Sequence, residues 1–141
     1  MDTTFHRNVF IEIRNKAEFE VLLADSGGDP EACKLRMNAF KENKPHGFMI
    51  LFSIDNRASF ENVDNWVREV RHINETVPII LVACKRDLRE NTTLINQDLI
   101  SVQEIKEKAE TLTMQDYIET SAMTEDNSVR NALVKLVYSI N

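Results

Sequence analysis

Hydrophobic residues in this chain form a few continuous or regularly spaced runs. Phe48–Ile54 and Val77–Ala83 are largely apolar and do not alternate with polar residues. Strands of this kind are typically buried on both faces in a parallel sheet that is covered by helices. Pro78 fits the second strand because it lies at its start. Two earlier segments, Val9–Ile13 and Phe19–Leu23, flank a polar turn and predict a β-hairpin.

Several stretches repeat apolar residues at spacings of three and four, which is typical of amphipathic helices. Pro30 suits the first position of a helix, and Ser101 with Glu104 resembles a capping box. Asn56–Phe60 leads into a predicted helix with apolar residues from Phe60 to Ile73. The other predicted helices are Pro30–Phe40, Ser101–Leu112 and Ser128–Ile140, with a short strand at Tyr117–Thr120. Alternating strands and helices predict a doubly wound α/β domain. In such folds ligands bind beyond the carboxyl ends of the strands, here after Leu23, Ala83 and Thr120.

Composition narrows the function classes. The chain has 141 residues, a net charge of −6 and 43% hydrophobic residues. These values predict a single soluble domain that spans residues 1–141. No basic patch favours nucleic acid, and no apolar run approaches the roughly 18 residues of a membrane helix. The first residues do not resemble a signal peptide, and the last do not resemble a prenylation box. From these features we expect a protein without its own membrane anchor. Cys33 and Cys84 lack zinc-site spacing, so we expect them to be reduced thiols in a cytoplasmic protein.

The loops at the predicted strand ends carry short motifs. Asp25-Ser26-Gly27-Gly28 matches D-x-x-G, and Cys84-Lys85-Arg86-Asp87 is similar to N-K-x-D with its Asn replaced. Ser121-Ala122-Met123 is similar to S-A-K with its Lys replaced. Thr3-Thr4-Phe5 is similar to the first switch of Rho proteins. In this order and spacing the motifs resemble Ras-superfamily small GTPases of the Rho type, from about Thr3 to Ile140. Glu90–Ile100 lies at the place of the Rho insert.

The resemblance implies a role for each matching residue. Thr3 and Asp25 would hold Mg²⁺, and the amide of Gly28 would meet the γ-phosphate of GTP. Asp87 would accept hydrogen bonds from the guanine edge while Lys85 lies along the ring, with Ser121, Ala122 and Met123 forming the loop beside the base. GTP or GDP and Mg²⁺ would be the cofactors if the family function is retained.

Four departures argue against that function. Asp29 stands where the family has the Gln that orients the attacking water, Cys84 is a poor hydrogen-bonding substitute for Asn, and Met123 lacks an ammonium group. The fourth is the phosphate loop, G-x-x-x-x-G-K-[ST], because none of the three glycines precedes Gly27. The sequence therefore predicts a Ras-like, doubly wound P-loop NTPase-type domain that lacks its first strand and helix at the N-terminus. It predicts no cofactor, no catalytic residue and no GTP hydrolysis.

Two views of the function follow. In the first, the chain is a degenerate GTPase-like signalling domain that binds proteins through its switch-like segments, Thr3–Asn8 and Asp29–Phe40. In the second, it is a fragment or shortened form of an active Rho- or Rab-type switch. A more distant alternative is a flavodoxin-like domain that binds another anion. The plainer interpretation of Asp25–Gly28 is a simple turn, and that of Cys84 and Met123 is apolar packing.

The absent strand also has a structural consequence. An unpaired apolar strand such as Phe48–Ile54 would expose backbone groups and side chains. We therefore expect either internal closure, for example by Val9–Ile13, or a homodimer formed by strand exchange.

Overall fold

The computed structural model describes residues 5–13, 17–25, 38, 41–42, 44–90, 98–124 and 126–140. The chain divides into two compact units, Met1–Lys44 and Pro45–Asn141. The prediction of a single domain over the whole chain stays a prediction.

The first unit contains an antiparallel hairpin. Strand β1 (Phe5–Ile13) pairs with strand β2 (Ala17–Asp25), with Phe5 opposite Asp25. The predicted hairpin is confirmed, and both strands extend further than expected at their outer ends. Asp25, which we expected in the turn after the strand, is the last residue of β2. The predicted helix Pro30–Phe40 falls largely outside the described residues.

The second unit is an α/β layer structure. Strands β3 (Phe48–Ser53), β4 (Ile79–Cys84) and β5 (Asp116–Glu119) form a parallel three-stranded sheet in the order β3-β4-β5. Its helices are α1 (Arg57–Ile73), α2 (Val102–Thr111) and α3 (Ser128–Ile140), with a 3-10 helix at Arg86–Glu90. The α/β class and the parallel sheet are confirmed. The 3-10 helix begins within the motif-bearing loop that the sequence places after the second buried strand.

Local hydrogen bonds fix the helix starts. The side chain of Asn56 accepts from the N–H of Ser59 at 3.1 Å, so α1 begins at Arg57, within the segment that leads into the predicted helix. At α2 the predicted capping box is confirmed, because Ser101 and Glu104 each accept from the other's backbone N–H, at 3.1 and 2.9 Å. These caps satisfy donors that would otherwise lack a partner at a helix start.

The two faces of the sheet carry different cores. Alternate residues of β4 point to opposite faces: Ile79 and Leu81 lie in the larger core cluster with residues of α1 and α2. Ile80 and Val82 lie in a smaller cluster with two residues of α3, Ala132 and Leu136. The larger cluster contains Ile50, Phe52, Ile54, Phe60, Val63, Val67, Val70, Val77, Ile79, Leu81, Ala83, Ile100, Ile105, Ala109 and Met114.

The expectation that β3 is buried on both faces is wrong. Ile50 and Phe52 are buried on the side of α1 and α2, whereas Leu51 is 55% exposed on the other. Within the described sheet β3 is an outer strand, and α3 packs over β4 and β5. Leu51 therefore lies beyond the surface that α3 covers.

Candidate functional site

The candidate site lies at the carboxyl ends of the three parallel strands. Asp55 follows β3, Lys85–Asp87 follow β4, and Ser121–Met123 follow β5. Because parallel strands end at the same edge of their sheet, these loops are neighbours. The structure thus brings together the base-side residues that the sequence singled out, together with Asp55, to which the sequence had assigned no role.

The loop after β4 turns sharply and then begins the 3-10 helix. Lys85 has a φ of 68°, in the left-handed region that non-glycine residues seldom adopt. The N–H of Arg86 donates to the carbonyl of Thr120 at 2.9 Å, which ties this loop to the end of β5. The Nζ of Lys85 lies 3.6 Å from Oδ2 of Asp55. Asp87 is thereby placed in the first turn of the 3-10 helix, half-buried.

A hydrogen bond joins the two loops at their functional side chains. The hydroxyl of Ser121 donates to Oδ1 of Asp87 at 2.7 Å and accepts from the N–H of Met123 at 3.2 Å. A carboxylate offers about four lone-pair sites on two oxygens, so one such bond leaves Asp87 with acceptor capacity. The arrangement suits recognition of a ligand edge that presents N–H donors.

Behind this pair lies a layer of polar contacts that sequence reasoning missed. The N–H of Ser121 donates to Oγ of Ser128 at 2.9 Å, and the N–H of Ser128 donates to Oδ1 of Asp126 at 3.0 Å. Asp126 also forms an ion pair with Arg86. The available signal was local: Asp and Ser just before an apolar helix are cap-type residues whose side chains bond nearby backbone.

The two replaced motif positions behave differently. Cys84 is half-buried and packs against the smaller core cluster. Burial raises the pKa of its thiol, which a hydrogen bond with Thr120 and the charge of Lys85 oppose only in part, so the thiol is neutral at pH 7. Met123 is 83% exposed. The apolar packing considered for both residues is therefore found at Cys84 and not at Met123.

Comparisons with known proteins agree with the motifs. The model of the Ras family matches residues 3–141. The chain belongs to the Ras family. It is 32% identical over 114 residues to GTP-binding protein rho1 of Schizosaccharomyces pombe, covering 76% of this chain and 55% of that protein.

Two further Rho-type relatives extend the agreement. GTP-binding protein RHO1 of Candida albicans is 35% identical over 112 residues, covering 74% of this chain and 56% of the relative. Human Rho-related GTP-binding protein RhoB is 32% identical over 123 residues, covering 82% of this chain and 61% of the relative. The resemblance to Rho-type members of the family is confirmed. This chain spans between 55% and 61% of the length of these three relatives.

The remaining family positions belong to the first part of the chain. Asp25 ends β2 in the first unit, while Thr3, Gly28 and Asp29 fall outside the described residues. Their roles toward Mg²⁺ and phosphate stay predictions. Where side chains are described, no group of three or more His, Cys, Asp or Glu residues could hold a metal ion. No helix in the described ranges has the length and apolar character needed to cross a membrane.

The described residues fit the base of a guanine nucleotide in part. Asp87 supplies a carboxylate, and Lys85 supplies a long side chain whose Nζ lies 3.6 Å from Oδ2 of Asp55. Cys84 offers a neutral thiol where a strong amide is expected, and Met123 offers no charge. Of the groups that the resemblance implies, the described residues therefore retain the carboxylate and the lysine, and they lack the amide and the second ammonium group.

Proposed function

We propose that this chain is a small-GTPase-like signalling domain that is deficient in GTP binding and hydrolysis and acts through protein partners. The observation that carries the proposal is the chemistry at positions 84 and 123, within a site whose loops are otherwise hydrogen-bonded together. Cys84 holds a neutral, half-buried thiol, and Met123 extends an apolar side chain into solvent. A thiol is a poor substitute for the hydrogen bonds of an amide, and an apolar side chain cannot replace an ammonium group. Such hydrogen bonds are worth about 0.5–1.5 kcal/mol each between neutral groups and about 1.5–3 kcal/mol where one group is charged.

The phosphate side supports the same proposal. The 141 residues contain no G-x-x-x-x-G-K-[ST] sequence, and Asp29 stands at the position of the water-orienting Gln. A carboxylate there would repel the γ-phosphate. For these 141 residues alone, the lack of several phosphate contacts would be enough to reduce the affinity for GTP to the millimolar range or to none.

For protein binding, we propose the two switch-like segments, Thr3–Asn8 and Asp29–Phe40, as the contact surfaces. Loops on a rigid scaffold commonly carry binding. The protein would act in the cytoplasm, and neither the structure nor the comparisons lend support to the homodimer by strand exchange. Charge reversal at Glu31, Lys34 and Arg36 should abolish capture of a partner that the unmodified chain retains. Unchanged capture would show that this placement is wrong.

A calorimetric titration of GTP and GDP with Mg²⁺ into the purified chain tests the nucleotide part of the proposal. We expect no binding tighter than millimolar. Asp87→Ala is the matched control, because a heat signal that persists in this variant does not arise from base recognition. Binding of GTP at micromolar concentration or below, lost in Asp87→Ala, would overturn the proposal.

A second candidate function is that of a piece, or a shortened form, of an active Rho- or Rab-type switch. It is favoured by the ordered hydrogen bond between Ser121 and Asp87 and by the partial length of the match to the relatives. Fusing the first strand, phosphate loop and first helix of a Rho-type relative to this chain separates the candidates. Tight GTP binding by the fusion supports the second. Weak binding that becomes tight only after Cys84→Asn and Met123→Lys supports the first.

A further inference from the structure

Ser128 is the first residue of α3 and is 4% exposed. We propose that Ser128 is a positioning residue for the candidate site: it holds Ser121 in place and, through the hydroxyl of Ser121, orients the carboxylate of Asp87. The proposal rests on the second candidate function, in which Asp87 faces a ligand.

The first step is the contact between the two serines. Oγ of Ser128 accepts from the N–H of Ser121 at 2.9 Å and lies 3.4 Å from the carbonyl oxygen of Ser121, to which it donates. Ser121 is 2% exposed, so water does not readily replace these bonds. One hydroxyl has one donor and two acceptor sites, which lets Ser128 serve both backbone groups of Ser121. Removing it would leave a buried N–H without its partner, a costly change.

The second step is the contact between the hydroxyl of Ser121 and the carboxylate of Asp87. The hydroxyl of Ser121 accepts from the N–H of Met123 at 3.2 Å, and its single proton is donated to Oδ1 of Asp87 at 2.7 Å. Displacement of the Ser121 backbone would disturb both bonds together. The carboxylate of Asp87 would then lose the contact that fixes its direction.

A second connection returns to the loop that carries Asp87. Asp126 accepts from the N–H of Ser128 at 3.0 Å and forms an ion pair with Arg86, the neighbour of Asp87. Asn127 adopts a φ of 61°, and its carbonyl accepts from the N–H of Asn131 at 2.9 Å as α3 begins. The helix start, the loop after β5 and the loop after β4 thus form one hydrogen-bonded unit.

A double-mutant cycle tests the connection without any ligand. Ser128→Thr and Ser128→Val have the same shape and differ in the hydroxyl group, so they form a matched pair. Each is combined with Asp87→Asn, and the unfolding equilibrium constants are measured by chemical denaturation. We expect the unfolding equilibrium constant of the Ser128→Val, Asp87→Asn double variant to differ by about threefold or more from the value that additive single effects give. The unfolding equilibrium constant of Ser128→Thr should stay near that of the unmodified chain.

The cycle has an outcome that would overturn the proposal. Additive effects of Ser128→Val and Asp87→Asn would mean that Ser128 stabilises only the local backbone of Ser121 and does not act on Asp87. Should Ser128→Val not fold, Ser128→Ala takes its place in the same cycle. The carboxyl ¹³C resonance of Asp87 gives a second readout: it should move in the variant that lacks the hydroxyl and not in Ser128→Thr, and an unmoved resonance contradicts the proposal.

A ligand measurement separates this proposal from the proposed functions. Guanosine, which has no phosphate groups, is titrated by NMR into each variant. If the unmodified chain binds it, Ser128→Val should weaken binding about tenfold relative to Ser128→Thr, with no further loss in the Asp87→Asn background. An equal affinity of the Thr and Val variants overturns the role of Ser128. Absence of binding to the unmodified chain counts against the second candidate function, and the stability cycle then decides the role of Ser128.

Discussion

The two faces of the parallel sheet differ in how completely they are covered. On the face of α1 and α2, the core includes Phe52 and Phe60, whose ring centroids lie 5.0 Å apart, and Leu81 with no exposed surface. On the face of α3, four buried residues form the cluster, and Leu51 at the outer strand is 55% exposed. Both faces are lined by apolar residues. The difference shows that an apolar run indicates which residues can be buried, while the covering elements decide which of them are.

The largest expected effect compares the same substitution on the two faces. Leu81→Ala removes a fully buried side chain and should lower the free energy of unfolding by about 2–5 kcal/mol, because it leaves a cavity. Leu51→Ala, on the neighbouring strand, should lower it by less than about 1 kcal/mol because the side chain already contacts solvent. Urea denaturation of both variants measures the difference.

The same pair of variants can break the comparison. If Leu51→Ala destabilises the protein as strongly as Leu81→Ala, the face of α3 is covered in solution as fully as the other. A longer form of the protein, or a bound partner, that protects Leu51 would produce that result. The pair thus measures how complete the sheet is in the purified chain.

Much of the fold followed from local sequence features. The bounds of α3 and the capping box at Ser101 were predicted because the signals involve residues a few positions apart. The exposure of Leu51 was not predictable, because it depends on where α3 lies relative to β3.

For the candidate site, Asp87 and Ser121 were found through motifs at strand ends. Their hydrogen bond and its support by Ser128 required the tertiary position of two separate loops. No pattern along the chain shows that Arg86 meets Asp126, because the contact joins residues far apart in sequence. The motifs therefore name the residues, and the fold alone gives their connections.

A second prediction concerns the packing of α3. A Cβ added at Gly47 would lie 2.7 Å from Cδ1 of Leu136 and 3.3 Å from Cδ1 of Ile140. Gly47→Ala should therefore cost at most about 1 kcal/mol of unfolding free energy, because the methyl groups that it meets are side-chain ends that can shift. Thermal denaturation of Gly47→Ala, alone and with Leu136→Ala, tests the cause. A cost that is unchanged in the second background would exclude contact with Leu136 as its origin.

A third prediction uses the ion pair between α1 and α2. The Arg57 guanidinium, 2.6 Å from Oε1 of Glu104, together with the Ser101 backbone N–H, lowers the pKa of Glu104 from 4.5 to about 2. Since the folded pKa lies below the unfolded one, the stabilisation is present above pH 4.5 and is lost as the pH falls toward 2. Glu104 is 38% exposed, so solvent screening reduces the contribution to about 1 kcal/mol.

Denaturation at several pH values between about 2 and 7 measures this contribution. Glu104→Gln should flatten the acid dependence, whereas Glu110→Gln, an exposed residue of the same helix, should leave it as it is. An equal pH dependence of stability in the two variants would show that the ion pair between Arg57 and Glu104 does not stabilise the packing of α1 against α2.

The smallest expected effect is a gain in stability at the end of α2. Thr113 has a φ of 52°, a left-handed conformation in which a β-branched side chain is strained, and its hydroxyl contacts only the neighbouring carbonyl of Leu112 among its described hydrogen bonds. Thr113→Gly should relieve that strain and raise the free energy of unfolding by about 0.5–1 kcal/mol, although the greater freedom of glycine in the unfolded chain offsets part of the gain.

The matched control is Asn127→Gly at the start of α3, where φ is 61°. Asn adopts this conformation readily, so its replacement should change stability by only a few tenths of a kcal/mol. A larger gain at Asn127 than at Thr113, measured by urea denaturation under the same conditions, would show that backbone strain is concentrated at the less covered face.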